Sequence, residues 1–66
     1  MDPAMRILAL AVLDVVRQDA HRRGFFQVSV EAHGYCEAAV RPYFESLDPF
    51  EKRACLLKAE DLARAP

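Results

Sequence analysis

The 66-residue sequence predicts an α+β fold, ordered helix, β-hairpin, short helical turn, helix (αββα), in a single small domain spanning residues 1–66. An all-α three-helix fold is the alternative. Three observations carry the prediction. An apolar segment of helical period is opened by Asp2-Pro3 and closed by Gly24. Two stretches of period-two alternation flank His33-Gly34. A second Asp-Pro signal, Asp48-Pro49-Phe50-Glu51, stands before the last third of the chain.

The first helix is expected from Pro3 to about Arg23. Aspartate at the N-cap accepts an orphan N–H, and proline at N1 lacks the one that would be unsatisfied. His21, Arg22 and Arg23 then fall in its last turn, where positive charge meets the negative end of the dipole, and Gly24 supplies the left-handed residue beyond it. Eleven of the thirteen residues from Ala4 to Val16 are apolar. Arg6, Leu10, Asp14, Arg17 and His21 form one polar line along such a helix, and apolar residues fill most of the remaining circumference. A surface helix needs an apolar stripe of only about 100°. The surplus predicts oligomerisation or partner binding.

In the middle segment Phe26, Val28, Val30 and Ala32 alternate with Gln27, Ser29 and Glu31, then Cys36, Ala38 and Val40 alternate with Glu37 and Arg41. A loop of three or five residues about Gly34 pairs Val30 with Ala38 and Val28 with Val40 on one face, with Glu31 beside Glu37 on the other. The rival reading is a helix from Ser29 to Leu47, which carries Gly34 and Pro42 in its interior at costs of about 1 and 3 kcal/mol. Pro42 is read instead as opening a short helical turn through Leu47. The last helix runs from Pro49 to about Ala63, with Glu51 able to complete a capping box. Phe50, Ala54 and Leu57 share one side of it, and Cys55, Ala59 and Leu62 share nearly the other.

A chain this short buries roughly 60% of its unfolded surface, so a shared interface is the usual remedy for a marginal core. Nine Lys and Arg against ten Asp and Glu give a net charge of −1, which removes a global electrostatic case for nucleic acid or anionic membrane. The apolar run Ile7 to Leu13 is far short of the ~20 residues of a membrane span, and no small-x-small site follows it, so a cytoplasmic protein without membrane association is expected. Cys36 and Cys55 read as buried small hydrophobes rather than a disulfide.

Catalytic chemistry finds no support. His33-x-x-Cys36 is one local pair without the second close pair that zinc sites present. Ser29 and Ser46 lie in no nucleophile-elbow context, two glycines cannot make a phosphate loop, and Glu31 and Glu37 read as solvated acids. No enzyme, cofactor or metal is expected. The sequence is read as a small protein-interaction module, a homodimeric adaptor, inhibitor or regulatory subunit acting on a larger, unidentified protein. Its self- or partner-interface is placed at Ile7, Leu8, Leu10, Val12, Leu13, Val16, Phe50, Leu57 and Leu62. The alternative is a nucleic-acid-binding regulator using the basic end of the first helix: Arg17, His21, Arg22 and Arg23, joined by Arg41.

Overall fold

Four α-helices make up the fold: α1 (Pro3–Val15), α2 (Ala20–His33), α3 (Glu37–Glu45) and α4 (Pro49–Arg64). The structure is a computed structural model and describes residues 2–65; the first and last positions of the expected 1–66 domain, Met1 and Pro66, lie outside the described residues. Among the described residues there is no strand. The expected α+β fold and its hairpin are therefore corrected to an all-helical one, and the three-helix alternative gains a fourth element.

Both Asp-Pro signals act as read. Asp2 caps α1, its side chain accepting from the Ala4 N–H at 2.9 Å, with Pro3 in the first turn. Asp48 caps α4 through the Glu51 N–H at 2.7 Å, while the Glu51 side chain returns to the Asp48 N–H at 3.3 Å, completing the capping box.

The first helix ends eight residues earlier than its predicted stop at Arg23. Val16 leaves helical geometry, the Asp19 N–H donates to the Val16 carbonyl at 2.9 Å, and the Asp19 carboxylate accepts from the Arg22 N–H at 3.1 Å to cap α2. A short aspartate side chain competing for backbone donors starts the new helix. No glycine or proline marks the break. Gly24 consequently lies inside α2, and His21, Arg22 and Arg23 occupy its first turn, the positive end of its dipole, rather than a helix C-terminus.

The His33-Gly34 step is a helix end. Gly34 is left-handed at φ 72°, and the Tyr35 N–H reaches back to the Val30 carbonyl at 3.0 Å, the long bond of a Schellman termination. Tyr35 is also left-handed, at φ 59°, a strained conformation for a residue with a side chain. Its ring packs against the core, and the Arg6 guanidinium stands over it at 5.3 Å. The same break interrupts the rival helix from Ser29 to Leu47. Pro42 sits inside α3, so the Ala38 carbonyl loses its usual donor; Ala38 is exposed, which leaves that oxygen open to water. Glu31 and Glu37 do not face each other: Glu31 accepts from Gln27 on α2 and Glu37 pairs with Arg41 on α3.

α1 touches all three other helices, most extensively α4, and α2 packs on α3. This central position explains its greasy composition. Met5, Leu8, Ala9, Ala11, Val12, Leu13 and Val16 all enter one core with Phe26 and Val30 of α2, Val40 and Phe44 of α3, Leu47 and Cys55. No polar or charged residue among those described is buried.

Candidate interaction surface

The predicted interface residues separate into two groups. Leu8, Val12, Leu13 and Val16 are buried within the chain itself, so the wide apolar arc of α1 is filled by α2, α3 and α4 rather than left for a partner. Ile7 and Leu62 are half-buried. Leu10, Phe50 and Leu57 are exposed. On α4 the outer residues Phe50 and Leu57 are interspersed with Arg53, Asp61 and Arg64. They form no continuous apolar face.

The basic residues are scattered and mostly engaged. Arg17 lies in the turn after α1, 3.7 Å from Asp14, and Arg41 on α3 bonds Glu37 at 2.9 Å. Arg23 donates to Gln27 at 3.3 Å, and His21 is exposed. Arg22 makes a two-pronged bond to Glu51, at 2.9 and 3.1 Å, that ties the first turn of α2 to the first turn of α4. The bond to Glu51 raises the pKa of Arg22 against the opposing effect of desolvation. The reciprocal bond from Arg22 is the main cause holding Glu51 below the ordinary value of 4.5, assisted by the Asp48 N–H. Tyr43 closes the cluster, its hydroxyl donating to the Arg22 carbonyl at 3.3 Å and its ring 4.3 Å from that of Phe26. This is a structural brace, and it removes the best-placed arginine from the nucleic-acid footprint.

The two thiols differ in setting. Cys36 is exposed at the N-cap of α3, and the nearby His33 has Nδ1 bonded to the Ser29 carbonyl at 2.9 Å. Cys55 is buried, and desolvation first, then the carboxylates of Glu51 and Asp14, pushes its pKa up to about 11. No group of three or more His, Cys, Asp or Glu among the described residues is arranged to hold a metal ion. No helix among them is long and apolar enough to cross a membrane.

The surface that sequence reasoning missed is the outward face of α2. Phe25 and Val28 are each 68% exposed. With His21, Gly24 and Ala32 they fall within an arc of about 100°, opposite the buried Phe26 and Val30, with no charged residue between them. His21, Gly24, Phe25, Val28 and Ala32 line a shallow, open, almost wholly apolar hollow. It shares Phe25, Ser29 and His33 with a neighbouring groove of about 570 Å³ between α2 and α3, whose far wall includes Ala38 and Pro42. The 4-3-4 spacing of His21, Phe25, Val28 and Ala32 is a helical seam, legible once the segment is read at period 3.6.

Comparison with family models, curated proteins and solved structures finds no match for this chain. The reading of its function rests on this surface.

Proposed function

We propose that the chain is a small non-catalytic protein-interaction module, an adaptor, inhibitor or regulatory subunit, whose docking surface is the outward face of α2. The observation that carries this reading is the pair Phe25 and Val28, adjacent on one helix face and each two-thirds exposed. Covering such side chains is worth roughly 1–2 kcal/mol apiece, and the hollow beside them has almost no polar lining to favour water. A continuous apolar face bounded by polar residues is the ordinary form of a protein contact site. Protein binding is preferred to nucleic-acid binding because Arg17, Arg22 and Arg41 are paired with acids on three different segments.

Site-specific photo-crosslinking in the native host tests the proposal. A photoreactive phenylalanine analogue replacing Phe25 or Val28 is expected to give discrete protein adducts, and the same analogue replacing the exposed Asp61 of α4 is not. Absence of adducts at positions 25 and 28, or equal labelling at all three, would overturn it.

A further inference from the structure

We infer that the turn between α1 and α2 is a hinge, and that two copies of this chain exchange α1 by straightening it, so that Pro3 to His33 form one helix in each copy and each α1 fills the core of the other. The inference is separate from the α2 docking surface. It rests on how this junction is held and on the phase of the two helices it joins.

The junctions differ in what fixes them. Between α2 and α3 the left-handed Gly34 and Tyr35 interrupt any continuous helix, and α4 opens on Pro49, which has no N–H to continue one and sterically excludes it. The α1–α2 junction has neither device. Val16, Arg17, Gln18, Asp19 and Ala20 all accept helical geometry. The bend is held by two short-range backbone bonds, the Arg17 N–H to the Asp14 carbonyl at 3.4 Å and the Asp19 N–H to the Val16 carbonyl at 2.9 Å, and by the Asp19 carboxylate on the Arg22 N–H at 3.1 Å. Straightening replaces these by regular helical bonds to the carbonyl four residues back.

The apolar faces on the two sides of the bend are already in phase. Phe26 follows Leu8 by 18 residues and Val30 follows Val12 by 18, five whole turns at 3.6 residues each, so the buried residues of α2 extend the buried stripe of α1 once the two are coaxial. Asp19 and Arg23 are the charged residues that fall on this stripe. They stand four apart with the acid first, the order that pairs favourably along a helix.

A straightened chain is not stable alone, because Leu8, Val12, Leu13 and Val16 are buried by the other three helices and straightening withdraws them from α3 and α4 of their own copy. Reciprocal exchange re-forms the same core between copies. α1, whose most extensive contact is with α4, then packs on α4 of the second copy, while the Arg22–Glu51 brace stays within each body of α2, α3 and α4. Exchange of an identical element about a two-fold axis needs no new surface.

Ala20→Pro separates the bent form from the straight one. In the bent chain residue 20 is the first of α2, behind the extended Asp19 (φ −111°, ψ 91°), a position that takes proline as Pro3 and Pro49 do behind Asp2 and Asp48. In the straight helix it is interior, where proline breaks the helix. Wild-type chain at about 1 mM, with a reducing agent to keep the exposed Cys36 from cross-linking, is warmed close to its Tm, cooled and sized by sedimentation; a dimer fraction is expected. Asp19→Ala, which loses the cap of the bent form, is expected to raise the dimer association constant about tenfold or more. Ala20→Pro is expected to lower it about a hundredfold or more and to keep the wild-type circular dichroism. In dimers mixed from isotope-labelled and unlabelled copies, isotope-filtered NMR is expected to show contacts between the core methyls of α1 in one copy and the core rings of Phe26 and Phe44 in the other, which a dimer of intact monomers does not give. Wild type and Asp19→Ala both monomeric at about 1 mM overturn the inference, and so does a dimer that Ala20→Pro leaves intact or one without these inter-copy contacts. An Ala20→Pro chain that does not fold also overturns it, since residue 20 then does not start a helix.

Discussion

Gly24 offers the sharpest mutational contrast in the chain, because the two readings of it demand opposite signs. In the structure it is an interior residue of α2 with nothing within 4 Å of an added Cβ and no left-handed backbone. Alanine there removes the helix penalty of glycine and should stabilise by about 0.5–1 kcal/mol. For a domain of this size each kcal/mol moves Tm by roughly 4–8 °C, so an increase of about 2–8 °C is expected. Gly34 is the internal control: at φ 72° a Cβ is strained whatever the space, and Gly34→Ala should lower stability by about 1–2 kcal/mol. Thermal melts followed by circular dichroism at about 5 µM read the folding effect. If Gly24→Ala lowers Tm as Gly34→Ala does, Gly24 ends the first helix and the four-helix reasoning fails.

Other outcomes follow from the brace, the thiols and the proline. Glu51→Gln should cost about 1 kcal/mol at pH 7, a figure kept low because Arg22 is 37% exposed. Because the folded pKa of Glu51 lies below the unfolded one, its contribution is complete above about pH 4.5 and is lost as pH falls through the lower folded value. Urea titrations should accordingly show wild type and Glu51→Gln converging in acid; curves that stay parallel from pH 7 downward would remove the ion pair from the account. A thiol reagent should modify the exposed Cys36 promptly and reach Cys55, buried with its pKa near 11, only on unfolding; two equally fast thiols would place Cys55 outside the core. Pro42→Ala should stabilise α3 by about 1–3 kcal/mol by restoring a helical hydrogen bond, and a change below about 0.5 kcal/mol would argue against a helix through Arg41 and Tyr43.

The parts of the fold legible in the sequence were those set by local covalent chemistry. Asp2-Pro3 and Asp48-Pro49 announce α1 and α4 because a capping carboxylate and a donor-less N1 residue act within one turn, and the Glu51 capping box needs no tertiary context. The α1–α2 break carries no such mark: Val16 to Asp19 contains neither glycine nor proline, and only Asp19 acting as a cap reveals it afterwards. The middle segment deceives because Phe26 and Val30 fit both periods. At period two they bring Val28 and Ala32 inward; at period 3.6 they leave both outside, and the core decides for the helix. Assigning Val28 to a sheet interior concealed the α2 face. Conversely, the apolar excess of α1 reads as an interface from the sequence alone, because one sequence does not say that a helix will be enclosed by three others. Leu10 and the α4 residues Phe50 and Leu57 remain exposed as expected, without the continuity that marks the face of α2.

The most direct test of the central claim, that α2 presents the contact surface, is affinity capture from the native host with the wild-type chain, Phe25→Glu and Phe50→Glu, both substituted positions being exposed and each variant keeping the wild-type circular dichroism. Proteins captured by the wild type are expected to be lost with Phe25→Glu and kept with Phe50→Glu. Capture that survives Phe25→Glu, or that is lost only with Phe50→Glu, would contradict the account.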